Sequence, residues 1–170
     1  MALRPIKNCF DPVLRKQCEI VKNIDGELIT LSNDMIETTL AAPGIGLAAN
    51  QIGVPWRVFV VNMGVETDTD NLITLINPEI TAMEGSESGE EGCLSIPDVV
   101  VEVNRATQIE IKAVDLNGKD IRYEASGILA RALQHEMDHL NGILFWDSLG
   151  KIKRDILKRK FKKKLKEQEE

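Results

Sequence analysis

The sequence predicts an α+β fold in which mainly antiparallel sheet surrounds a central helix and a further helix closes the C-terminus. Three observations carry this. Runs rich in β-branched residues fill the middle of the chain, whereas helical periodicity is confined to its ends. The tetrapeptide Asp115-Leu116-Asn117-Gly118 separates two such runs as a hairpin turn would, which favours antiparallel pairing. Neither an internal repeat nor a linker divides the 170 residues, so one full-sized core is expected.

The elements follow in order. Residues 28–42 read as an amphipathic helix through Leu31, Met35, Ile36 and Leu40. The run Gly44-Ile45-Gly46-Leu47-Ala48-Ala49-Asn50-Gln51-Ile52-Gly53 superficially matches a dinucleotide-binding glycine pattern. It follows a helix and Pro43 rather than a strand, and Gly53-Val54-Pro55 would break a following helix, so that reading fails. Its small residues instead suggest a backbone packed close to a ligand or metal site. Strands are expected at 58–61, 72–76, 99–103, 109–114 and 121–123, with an acidic loop at 66–71. Ser126 fits an N-cap and Gly142 a C′ position, with Ile128, Leu129, Ala132, Leu133, Met137 and Leu140 as the buried stripe between them.

That last helix carries the chemistry. The only two histidines, His135 and His139, stand four residues apart, so both imidazoles leave one helix face. They can grip one metal ion, with Glu136 beside them as general base. Histidines at this spacing also occur as hydrogen-bonded core residues, so the third ligand matters. A histidine six positions after His139 is absent, because Phe145 stands there. Asp147 and Asp155 are available carboxylates that nothing marks out. Among the thiols, Cys9 and Cys18 fit core positions. Cys93 lies between Gly92 and Pro97, in a segment of unusual backbone demands rather than a regular strand interior.

Three segments together, Gly44 to Gln51, Glu91 to Ser95 and Gln134 to Gly142, resemble the peptide deformylase family, whose motifs G-x-G-L-A-A-x-Q, E-G-C-L-S and Q-H-E-x-D-H-L-x-G run in this order. The resemblance covers about residues 4–150. It implies a metal-dependent hydrolase that removes formyl groups from the N-terminal methionine of new proteins and releases formate. Cys93, His135 and His139 would hold one divalent metal with water in the fourth place. Fe²⁺ is the native ion this implies, while Zn²⁺, Ni²⁺ or Co²⁺ also suit one thiolate and two imidazoles. Glu136 would be general base and then acid, Gln51 and the Leu94 N–H would bind the oxyanion, and the backbone at Ile45, Gly46 and Glu91 would pair with an N-formylmethionyl nascent peptide. Many members place an arginine shortly after E-G-C-L-S-x-P; here Asp98 to Asn104 holds none. Arg131, one turn before His135, is expected to pair with Glu91, and Asp138 with Arg105.

Other classes fit less well. A structural metal protein, or a binding module for peptide N-termini, needs neither the base Glu136 nor the donor Gln51. A different metal-dependent amidase or peptidase on the same scaffold is the nearest alternative.

Charge divides the chain. Residues 151–170 hold ten basic and four acidic residues, a net +6, which leaves 11 basic and 23 acidic residues in 1–150, a net −12. The expectation is a catalytic domain over 1–150 and a basic helical tail over 151–170. An anionic partner fits the tail, and the resemblance implies ribosomal RNA. The tail also carries Ile152, Ile156, Phe161 and Leu165, a stripe able to lie on the body. No run is long enough to span a membrane, no signal peptide opens the chain, and three cysteines make no disulfide framework. A reducing cytoplasm is the expected location.

Overall fold

The computed structural model describes residues 2–42, 44–65 and 70–169. Helix α1 spans Gly26–Ala41, α2 Gly127–Leu140 and α3 Lys151–Glu169. The strands are β1 Gly46–Ala48, β2 Val58–Asn62, β3 Leu72–Glu84, β4 Glu87–Cys93, β5 Ile96–Arg105, β6 Gln108–Val114 and β7 Asp120–Ser126. Short 3₁₀ turns occupy Pro12–Arg15, Ala49–Ile52 and Phe145–Ser148. A five-stranded sheet runs β1-β2-β3-β6-β7, and β4 and β5 form a separate two-stranded sheet. Every named pairing is antiparallel, as the hairpin signal predicts.

Strand β2 shows why α2 is central. Val58 and Val60 pack towards α1 with Leu28, Leu31 and Met35. Phe59 and Val61 pack towards α2 with Leu133, Met137 and Leu140. Both faces of the strand are covered, so its sequence is an unbroken apolar run rather than an alternation. At the C-terminal end of α2, Gly142 adopts φ +74°, and a Cβ there would stand 2.6 Å from the Arg15 carbonyl oxygen. Only glycine meets both demands.

Several expectations are corrected. Strand β3 continues to Glu84 rather than stopping at Ile76, because pairing with β6 carries it through two register shifts despite Pro78 and Glu79. Strand β4 was not foreseen, since Glu87-Ser88-Gly89-Glu90-Glu91-Gly92-Cys93 has little strand propensity. The valine-rich β5 pairs with it along most of its length. Cys93 still sits beside an irregularity, a register shift between Glu91 and Cys93. Leu40 and Ile128 are exposed rather than on the buried stripes. Ser126 occupies the N-cap of α2 without a side-chain capping bond. Of the acidic loop, residues 66–69 lie outside the described residues.

The tail stripe also shifts. Phe161 is buried and Leu157 and Leu165 pack beside it, but Ile152 and Ile156 face outward. Phe161 meets Phe10 and Trp146 at ring-centroid distances of 5.9 and 6.3 Å. Lys164 pairs with Asp98 at 2.9 Å. Helix α3 therefore shares a core with the β4–β5 hairpin.

Removing the Phe161 ring is expected to cost about 3 kcal/mol or more, so Phe161→Ala should lower the urea midpoint with little change in slope. A second expectation concerns acid. Burial would raise the Asp147 pKa, but the Arg15 fork at 2.6 and 3.0 Å and the Leu144 N–H outweigh it and hold the carboxyl below its ordinary 3.8. The folded pKa is the lower one, so this stabilisation is present above pH 3.8 and is lost as pH falls below it. Asp147→Asn should flatten stability against pH in that range.

Candidate active site

Helix α2 presents His135 and His139 on one face, with Nε2 atoms 3.1 Å apart. Cys93, at the end of β4, brings its Sγ to 3.4 Å from His139 Nε2. The three donor atoms lie within 4.8 Å of one another. Ligands on a tetrahedral ion, at ~2.0 Å for nitrogen and ~2.3 Å for sulfur, would stand roughly 3.3–3.6 Å apart. The spacings from His139 Nε2 to the other two donors, 3.1 and 3.4 Å, lie near this range. Two imidazole nitrogens facing each other at this distance share either a proton or a cation between them. Burial opposes charge on His135, but hydrogen bonds with Cys93 and Glu91 outweigh it and raise its pKa to about 10. Burial, then the charge on His135, pushes His139 well below its usual range. The donor set thus suits a single shared cation. Asp147 is committed to Arg15, which removes it as a third ligand.

Glu136 follows His135 on the helix and is almost fully buried. Its Oε2 has no hydrogen-bond partner among the described residues. Burial is the main cause that raises its pKa to about 7. Such a carboxyl can take a proton and return it near neutral pH. Gly46 makes room for it: a Cβ there would stand 2.8 Å from the Val60 carbonyl oxygen and 3.2 Å from Glu136 Cγ. Gly46 is therefore held small by the neighbouring strand's carbonyl and by the Glu136 side chain together.

Gln51 lies in the 3₁₀ turn after β1. Its Oε1 accepts from Ala48 N–H at 2.9 Å, and its Nε2 donates to Ser95 Oγ at 3.1 Å and towards Cys93 Sγ at 3.8 Å. Leu94 directly follows Cys93, and its side chain packs against Gly44, where a Cβ would meet Leu94 Cδ1 at 2.9 Å. Ile45 precedes β1, an edge strand paired only with β2.

Glu91 is the largest surprise. Its buried carboxylate receives Arg105 Nε at 2.8 Å and Nη2 at 2.9 Å, Arg131 Nη1 at 2.9 Å, and His135 Nδ1 at 2.9 Å. Burial would raise its pKa, but these partners outweigh that and lower it to about 2. The expected Arg131–Glu91 and Asp138–Arg105 pairs both form, the latter at 2.5 Å. What the sequence did not reveal is that they converge on one carboxylate that also orients a histidine. Gln134 was also missed as a tie. Its amide exchanges bonds of 3.0 and 2.9 Å with the Ala106 backbone and fastens α2 to the start of β6. Cys9 and Cys18 are core thiols as expected, their pKa values pushed by burial to about 12 and 11.

A buried carboxyl beside a Cys/His/His cluster, on a helix packed against antiparallel sheet, is the arrangement of a metal-dependent hydrolase. Comparison with known proteins specifies which. The family model for polypeptide deformylase matches residues 3–155. The peptide deformylase of Thermodesulfovibrio yellowstonii is 48% identical over 96% of this chain and 99% of its own length. The crystal structure of a peptide deformylase from Legionella pneumophila superposes with a TM-score of 0.91 at 42% identity, covering 98% of each chain. That from Ehrlichia chaffeensis in complex with actinonin gives 0.91 at 38% identity, covering 96% of this chain and 98% of that one. The chain belongs to the peptide deformylase family, metal-dependent hydrolases that remove the formyl group from the N-terminal methionine of new proteins.

Gly46→Ala should fold but displace the Glu136 carboxylate. A misplacement of this kind costs about 10²-fold in rate, measurable as formate release from a formyl-methionyl peptide.

Proposed function

We propose that Glu136 is the general base and acid of deformylation, with Cys93, His135 and His139 holding the metal. The observation behind this is the buried, half-unpartnered carboxylate with a pKa of about 7 beside the three donors. A divalent cation held there supplies Lewis acidity, which brings water towards ionisation near neutral pH and polarises the formyl oxygen. Glu136 takes a proton from the attacking water as its oxygen bonds to the formyl carbon. It then delivers that proton to the departing nitrogen, so the C–N bond breaks to give formate and a free amine. Gln51 Nε2 and the Leu94 N–H stabilise charge on the formyl oxygen, each donor contributing ~3–4 kcal/mol to the lowered barrier. The backbone at Ile45, Gly46 and Glu91 pairs with the extended peptide as an added strand.

Fe²⁺ is the proposed native ion, with Zn²⁺, Ni²⁺ and Co²⁺ compatible with the same donors. The catalytic unit is residues 1–150, and the basic helix α3 is the proposed contact with ribosomal RNA phosphate. Its exposed lysines support that role, while Phe161 anchors it to the body. The proposed location is the cytoplasm, where a free Cys93 thiolate persists. No helix among the described residues is long and apolar enough to cross a membrane.

Glu136→Gln should retain stoichiometric metal and lose formate release by about three orders of magnitude or more; near-normal turnover would remove the role. Cys93→Ala should abolish stoichiometric metal. A formyl-methionyl peptide should be hydrolysed and its acetyl counterpart left intact. Co-sedimentation with ribosomes should weaken steeply with added salt, and neutralising the outward lysines of α3 should reduce that slope.

A further inference from the structure

The residue before Gln51 has no role in the chemistry just described, yet it touches the metal-ligand turn directly. Asn50 is completely buried, and its Nδ2 donates to the His139 carbonyl at 2.6 Å. That carbonyl lies in the last turn of α2, where helical acceptors run out of intrahelical donors. Its other donor is the Gly142 N–H at 3.1 Å. Two further polar atoms in this pair, Asn50 Oδ1 and His139 Nδ1, are buried without a hydrogen-bond partner among the described residues.

The platform that carries Asn50 is rigid. The 3₁₀ turn Ala49–Ile52 is closed by Gly53 in the left-handed region, with the Gly53 N–H bonded to the Asn50 carbonyl at 3.0 Å. The Gln51 carbonyl accepts from Lys7 N–H at 2.7 Å. Consecutive residues of this turn therefore reach both elements that supply ligands. Gln51 faces Cys93 and Ser95 after β4, and Asn50 grips His139 on α2.

We propose that Asn50 is a positioning residue for His139. Its Nδ2 pins the histidine's carbonyl, and so fixes the last turn of α2 from which the ring reaches the other two donors. A neutral histidine that offers Nε2 to a metal carries its proton on Nδ1, and an acceptor there fixes tautomer and ring angle together. Glu91 does this for His135 through the ring nitrogen, whereas Asn50 acts on His139 through its backbone carbonyl. The inference rests on the reading of His139 as a ligand.

The test uses the full chain loaded with Co²⁺, whose visible absorption reports ligand geometry. Asn50→Leu keeps the volume and removes both polar atoms, and Asn50→Ala leaves the Gly142 bond to the His139 carbonyl as the sole cap. Either folded variant should release Co²⁺ to a chelator about 10- to 100-fold faster. Its absorption bands should shift, and kcat should fall with KM little changed. A lowered melting temperature with unchanged release rate and spectrum would show a helix cap only and overturn the proposal. Wild-type protein that bound no stoichiometric Co²⁺ would instead overturn the ligand reading, and this inference with it.

Discussion

The buried carboxylate of Glu91 is the constraint on which the rest of the site depends. It sits on β4 and is bonded from β5 by Arg105 and from α2 by Arg131 and His135. A carboxylate removed from water is costly unless its lone pairs are filled by well-placed donors. Here three charged or chargeable partners fill them, so the hairpin and the helix cannot separate without stranding a charge. Arg131 extends the clamp by donating to the backbone carbonyls of Val103 and Glu87. It passes so close to Gly89 that a Cβ there would meet its guanidinium at 3.0 Å. A strand of weak intrinsic propensity is thereby held in place by the same groups that orient the His135 ring.

The contrast with Glu136, forty-five positions later in the chain, shows what environment does to one chemical group. Both carboxylates are buried near His135. Glu91 has two arginines and stays ionised with a pKa near 2, whereas Glu136 has no such partner and burial raises it to about 7. One is a fixed anion that orients; the other is poised to exchange a proton. Separating the pKa values of neighbouring acids in this way is how a single pocket assigns structural and catalytic duties.

What could be read from the sequence divides along physical lines. The geometry of α2 is local. The i, i+4 histidines, the intervening glutamate and the terminal glycine depend only on helical pitch and capping, and all stand where the spacing puts them. Gly46 was legible as a close-approach position, although the neighbour proved to be Glu136 itself. Strand β4 was not legible, because its order comes from β5 and from arginines 14 and 40 residues away in the chain. Leu40, Ile128, Ile152 and Ile156 share one kind of error. Periodicity locates an apolar face but not the point at which the opposing surface ends.

The tail illustrates how packing and electrostatics coexist in one helix. Charge alone would lay a tail of net +6 flat on the acidic surface of a −12 body. Instead Phe161, Leu157 and Leu165, at i, i−4 and i+4, set its orientation by burial. Among the described residues, Lys164 pairs with Asp98 on the body, and both of those side chains are substantially exposed. Such a pair is worth little beside a buried aromatic ring. The Lys158 Nζ meanwhile lies 5.8 Å from the Trp146 ring centroid, over the same aromatic cluster. The apolar stripe thus fixes which face is spent on the body, and most of the cationic residues are left at the surface as a consequence of that choice. Charge did not place the helix, but the way the helix is placed leaves its charge available.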